Sequence, residues 1–341
     1  MLSPAAIPVI AIGIFLAPIV RQVYLYFSDP KGLRKFSPLT PLSDFTALAY
    51  IWHILGLDTF RSRSLSEDHK TRDVIRLTPD HLSFRTTGAI KDIYGHGTTC
   101  IKGDVYTLLA GEHYHILNIP DKAGHSIKRK RLSAAFATKN LLAWEYKIVD
   151  KVERLVAGLD KLCSQPNLSA KYDKSLVATG KSVFVDLRKW TNYFTVDAIA
   201  DIALSQRLGL LDNGNDQVPA ETERGVRYET GFINAVHAIG RAAIPLAFSA
   251  TAFPWLKRFT TLFSTEIRNQ WSGVGRFEDV IRFLVNERMG RQSKEKGLDD
   301  FMSCLLEDGE GEALNLDIGE ISSEVAILSK SHDDHVLPYM T

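Results

Sequence analysis

Cysteine is scarce in this 341-residue chain: Cys100, Cys163 and Cys304 stand far apart, and none belongs to a Cys-x-x-Cys pair. That pattern supports neither a disulfide framework nor a zinc ribbon, and makes a reducing compartment the expectation beyond the N-terminus. Net charge is lacking too. Lys and Arg total 41 against 40 Asp and Glu, a formal charge of +1, so there is no bulk electrostatic case for nucleic acid. The chain has no internal repeat and no low-complexity tract. Strand signals are also few, and one hairpin is the only convincing example. A last absence is local: no charged side chain precedes Arg21.

The uncharged start, "MLSPAAIPVIAIGIFLAPIV", is followed by the apolar "QVYLYF". About 20 apolar residues are what a helix needs to cross the hydrocarbon core. Residues 1–27 are therefore expected to form an uncleaved membrane anchor. There is no basic n-region and no small-x-small site, as a cleaved signal peptide would have. Arg21, Lys31, Arg34 and Lys35 follow the apolar run, which places what comes next on the cytosolic side. Residues 28–70 read as a basic, proline-bearing linker with a first helix, and 71–341 as the main domain. With 45% apolar and 24% charged residues, that domain has the composition to bury a sizeable core.

Within it, "DVIRLTPDHLSF" reads as strands Val74–Leu77 and His81–Phe84 around a Thr-Pro-Asp turn. A short helix closed by Gly95 follows. The remainder is helical. "DKAGHSIKRKRLSAAFA" starts at Asp121 as N-cap and presents Leu132, Ala135 and Phe136 inward. "NLLAWEYKIVDKVERLVAGLDKLC" reads as one long amphipathic helix, with Leu141, Ile148, Val152, Leu155, Val156, Leu159 and Leu162 on its apolar face. A helix capped by Asp186 is apolar on nearly every side, as in the middle of a domain. Residues 212–225 read as loop, and Asp317 as the cap of a final helix. The fold class is mainly α with a small β-lobe.

Three groups of residues could carry chemistry. His125 and Arg129 are four apart, so they share one helix face and could converge on an anion. Lys128, Lys130 and Arg131 make the neighbourhood positive, and spacing alone favours a solvated basic turn. Among the cysteines, Cys100 lies in a glycine-bearing loop, "GHGTTCIKGD", while Cys163 and Cys304 fall on apolar helix faces and are expected in the core. Last, His332, Asp333, Asp334 and His335 stand near the chain end. No third segment completes a metal site there, so an exposed tail is expected and a metal-dependent enzyme is the least favoured reading.

Taken in order, these segments resemble the fungal, membrane-anchored cytochrome P450 family of haem-thiolate monooxygenases. The likeness is carried by the anchor and linker, "DVIRLTPDHLSFRTTGAIKDIYGHG", "DKAGHSIKRKRLSAAFA", "DLRKWTNYFTVDAIADIALSQRLG" and "EISSEVAILSKSHDD". The tone is nearest the benzoate para-hydroxylase-like group. The resemblance implies a haem cofactor whose propionates bind His125 and Arg129. It also implies hydroxylation of a small organic substrate with dioxygen, using electrons from an NADPH-cytochrome reductase at the cytosolic face of the endoplasmic reticulum membrane. Where the family's I helix carries its acid, this chain has Asp334, flanked by His332 and His335 instead of the expected glycine and threonine. The family's cysteine loop and Glu-x-x-Arg are not matched, since "ETER" (Glu221–Arg224) precedes the I helix. A truncated fold ending within the I helix, inactive by itself, is the expectation. The alternative is a non-catalytic, membrane-tethered helical binding protein.

Overall fold

The computed structural model describes residues 17, 19–57, 68–108, 110–164, 177–179, 182–292, 294–295, 298–307 and 313–330. Residues 19–28 are helical. No described helix is long and apolar enough to cross a membrane, and most of the expected anchor lies outside the described residues. In chain order the elements begin with α1 (Leu48–Leu57), β1 (Val74–Thr78), β2 (His81–Phe84), α2 (Thr87–Tyr94), α3 (Asp104–Leu108) and α4 (Lys122–Ala135). Next come α5 (Thr138–Ala143), α6 (Glu145–Ser164), β3 (Val177–Thr179), β4 (Ser182–Phe184), α7 (Leu187–Leu204), α8 (Leu210–Asn213), β5 (Gln217–Glu221) and β6 (Arg227–Gly231). The last are α9 (Phe232–Ala242), α10 (Ile244–Ala247), α11 (Phe253–Phe263), α12 (Thr265–Gln292), α13 (Ser303–Leu306) and α14 (Ile318–Lys330).

The chain forms two compact units, one of residues 1–101 with 244–259 and one of 102–243 with 260–341. In the first, β1 and β2 pair antiparallel with Val74 opposite Phe84. Buried Arg76 reaches back from β1 to Asp44 at 3.0 Å, which offsets the cost of taking its charge out of water. Tyr50 of α1 meets Phe248 edge to face.

The second unit holds the main core. Helix α7 starts at Asp186, whose side chain accepts from Lys189 N, and it buries Trp190, Tyr193, Val196, Ala200, Ala203 and Leu204. Its apolar residues are buried round most of its circumference, as a helix in the middle of a domain requires. Helices α9 and α12 approach closely at Gly273, where an added Cβ would stand 2.5 Å from that of Ala238. Glycine is what permits that approach.

Four expectations need correction. Residues 217–221 form a strand that pairs with 227–231, and 177–179 pair antiparallel with 182–184, so strands are not confined to the start. Phe136 is exposed. Its ring rests on the buried Phe301 but stays about half in solvent instead of entering the core. The long helix expected over 140–163 is two, because Trp144 turns the chain and buries its own ring.

The larger surprise is the face α6 turns inward. Val152 and Val156 are exposed, whereas Lys147 and Lys151 are buried. Lys147 Nζ donates to Asp201 O at 2.8 Å, Asp299 O at 2.9 Å and Ser205 Oγ at 3.1 Å. Of these, Asp201 O lies in the last turn of α7, where a cation also complements the helix dipole. Lys151 Nζ lies 2.6 Å from Asp201 Oδ2 and 2.8 Å from Asp150 Oδ2. Leu155, Leu159 and Leu162 pack against the core as expected, so the inward stripe of this helix joins two buried lysines to part of the expected apolar face.

Candidate functional site

Helix α4 is built to start where it does. Asp121 Oδ2 accepts from Gly124 N at 2.5 Å, a side-chain oxygen satisfying one of the first-turn amides. Helix α14 starts the same way, with Asp317 Oδ1 accepting from Gly319 N at 2.7 Å.

The two helices are then tied by charge. Lys128 Nζ lies 2.8 Å from Glu320 Oε1 and 3.0 Å from Glu324 Oε1. Arg131 Nη1 adds a contact of 3.1 Å to Glu320 Oε1. Lys128 and Glu324 are buried. The Lys128–Glu324 contact is ionic, off the hydrogen-bonding direction, and leaves Glu324 Oε1 without a hydrogen bond. Glu324 Oε2 instead accepts from Ile116 N at 3.1 Å. Burial works against the charge on Glu320, yet hydrogen bonding and the fields of Lys128 and Arg131 hold its carboxyl below the ordinary value.

This clamp fixes the rotation of α4, and with it His125 and Arg129. The two share a face one turn apart, His125 half-buried and Arg129 exposed. Among the described residues neither side chain has a hydrogen-bond or ion-pair partner. Burial pushes the His125 imidazole below its ordinary value, and the positive charges of Lys102 and Arg129 push it further in the same direction. Lys102 is half-buried just before α3, and its Nζ donates to Ile116 O at 2.7 Å. Burial draws this amine down to about 8, with the Glu324 charge opposing.

The source of the positive field therefore differs from the sequence expectation. Lys128 and Arg131 are spent on glutamates, and Lys102 acts on His125 from another segment. The sequence signal for the clamp was present in Glu320 and Glu324, four apart, and in Lys128 and Arg131, three apart. Nothing in the linear sequence brought those pairs together. A half-buried imidazole and a guanidinium in an unneutralised positive field suit an anion, and two donor groups one helix turn apart suit carboxylates.

The other candidates fare differently. Cys100 is exposed, and Cys163 is exposed rather than in the core. Cys304 packs against the core, as expected, and burial followed by Asp299 and Asp300 raises its thiol. Glu221 pairs with Arg227 at 2.9 Å and accepts from Asn286 at 3.1 Å, so the chance Glu-x-x-Arg match is spent within the β5–β6 hairpin and on α12. Among the described residues no group of His, Cys, Asp and Glu could hold a metal ion. His332, Asp334 and His335 lie outside the described residues.

Comparison with known proteins adds an independent observation. The family model described as cytochrome P450 matches residues 86–329. A benzoate 4-monooxygenase of Aspergillus niger is 26% identical over 308 residues, covering 88% of this chain and 56% of the relative. A cytochrome P450 monooxygenase of Penicillium roqueforti is 26% identical, covering 93% and 59%. Another, of Penicillium crustosum, is 25% identical, covering 84% and 52%. The chain thus spans little more than half the length of these relatives.

Proposed function

The chain belongs to the cytochrome P450 family, and on that premise we propose that it contributes the α4–α14 part of a haem-dependent monooxygenase hydroxylating a small organic substrate. Aromatic acids are the first class to test, given the benzoate 4-monooxygenase among the relatives. The observation that carries the reading is the His125–Arg129 face of α4, clamped to α14 and free of acidic partners among the described residues. His125 and Arg129 would donate to the two carboxylates of haem. Lys128, Glu320 and Glu324 hold the helix in the rotation that presents them. Haem, when bound, supplies dioxygen activation through an iron held by a cysteine thiolate.

The carboxylate end of haem fits residues present here, but the thiolate end does not. A ligating thiolate needs surroundings that lower its pKa. Burial and two aspartates move Cys304 the other way, and Cys100 and Cys163 are exposed surface thiols. We assign none of the three as axial ligand. Asp334 is proposed as the I-helix acid. A reductase supplying electrons, an anchor at residues 1–27, a linker over 28–70 and a cytosolic-face domain over 71–341 at the endoplasmic reticulum complete the proposal.

The test is the carbon-monoxide difference spectrum of the reduced 341-residue chain after loading with haem. No thiolate-type Soret band is expected. A band abolished by replacing Cys100, Cys163 or Cys304 would overturn the assignment.

A further inference from the structure

We propose that Ser133 is a phosphorylation site, and that a phosphate there takes Arg129 away from the carboxylates of haem. The inference rests on the haem-carboxylate reading above and adds a control to it.

The geometry begins with four consecutive cations, Lys128, Arg129, Lys130 and Arg131. Lys128 and Arg131 are held by Glu320 and Glu324. Arg129 and Lys130 are exposed, and among the described residues neither side chain has an acidic partner. Ser133 stands four residues after the first and three after the second, so it shares their side of α4. It is exposed too, and its hydroxyl points back along the helix, donating to Lys130 O at 2.7 Å. Helical side chains lean toward the N-terminus. A phosphate on Ser133 is therefore carried over the turn that holds the two free cations.

The same residues form a recognition signal. Lys130 and Arg131 stand three and two positions before the serine, a charge pattern that suits a kinase with an acidic substrate groove. The site lies in the last turn of α4, where helices fray and a hydroxyl can be drawn into a kinase cleft. Transfer forms the Ser133 Oγ–P bond and breaks the bond from the γ-phosphorus of ATP to its bridging oxygen. ADP leaves, and the hydroxyl proton passes to the base of the kinase.

The product carries up to two negative charges and three strong acceptor oxygens. The negative end of the helix dipole disfavours it, whereas a guanidinium one turn away can grip it with two parallel bonds. Arg129 engaged in that way has its fork turned along α4 and no longer toward a ligand.

The experiment treats the full 341-residue chain with ATP and a kinase of the cyclic-AMP-dependent class, beside Ser133→Ala, Lys130→Gln and Arg129→Gln. Mass spectrometry should find one phosphate on Ser133, absent from Ser133→Ala and slower to form in Lys130→Gln. No phosphate on Ser133 overturns the inference. Phosphorus NMR titration then reads the pairing. The second ionisation of the phosphate should fall below its ordinary value of about 6 in the parent chain and rise in Arg129→Gln. Equal values in the two chains overturn it.

Binding of metal-free protoporphyrin IX and its dimethyl ester, followed by porphyrin fluorescence, reads the consequence. Phosphorylation should weaken the free acid about tenfold, the loss of one charged hydrogen bond, and leave the ester unchanged. Most of that loss should be absent in Arg129→Gln. An equal loss for the ester marks a melted helix end and overturns the inference as well. If the phosphorylated parent binds the acid as tightly as before while Arg129→Gln weakens it, the Ser133 inference fails alone. If Arg129→Gln itself binds the acid as the parent does, the haem-carboxylate reading falls.

Discussion

Lys128→Met is expected to cost the folded protein about 3–5 kcal/mol, the usual result of removing one partner from a buried ion pair. Lys128 Nζ stands 2.8 Å from Glu320 and 3.0 Å from Glu324. Arg131 can still serve Glu320 at 3.1 Å. Glu324 has no such reserve: its carboxylate is 3% exposed, and its remaining bond is a backbone amide. The uncompensated charge is what destabilises, so the double variant Lys128→Met with Glu324→Met should recover most of the loss. Urea unfolding of the two single variants and the double one measures this directly. Additive losses would show that charge pairing is not what joins α4 to α14. The same substitution should also weaken protoporphyrin binding without touching His125 or Arg129, because it frees the helix that carries them.

Asp300→Ala is expected to be as severe, for a reason unrelated to the candidate site. Arg288 and Asp300 are both fully buried, with Nε at 2.6 Å from Oδ2 and Nη2 at 3.1 Å from Oδ1. This is a two-pronged guanidinium–carboxylate pair, among the stronger polar contacts in proteins. Asp300 also accepts from Ser303 N at 2.9 Å, which sets the turn into α13. Alanine leaves the Arg288 guanidinium with Gln292 and Ser303 alone, neutral partners for a buried cation. A loss of about 3–5 kcal/mol follows, read as a lowered unfolding midpoint. Loss below about 1 kcal/mol would mean that water reaches Arg288.

What was legible in the sequence was mostly local. The β1–β2 hairpin and the starts of α4, α7 and α14 were readable because each has a turn or cap signal within a few residues. The β5 strand was not. Val218 and Ala220 are buried while Gln217 and Glu221 flank them, but Pro219 between them argues against a strand. Pairing with Arg227–Gly231 overrode that local signal. On α6, Leu155, Leu159 and Leu162 pack on the core as expected, but the N-terminal part of its inward face was missed for a deeper reason. Lys147 and Lys151 are buried only because Asp201, Ser205 and Asp299 wait for them, and those residues are distant in sequence. The site shows the same division. His125 and Arg129 were visible as a spacing on one helix. The clamp and Lys102 became visible only when α14 and the Ile116 loop were in place.

The central claim is that the α4 face binds the carboxylates of haem, and the His125 imidazole reports on it most directly. Its pKa can be followed by NMR titration of the full chain, free, with protoporphyrin IX and with the dimethyl ester. In the free chain, burial, Lys102 and Arg129 place it below the ordinary histidine value. A bound carboxylate stabilises the imidazolium, so the pKa must rise with protoporphyrin IX, proton uptake accompanying binding. The ester, lacking the charge, should leave it low. A His125 pKa that stays low with protoporphyrin IX bound would contradict the account.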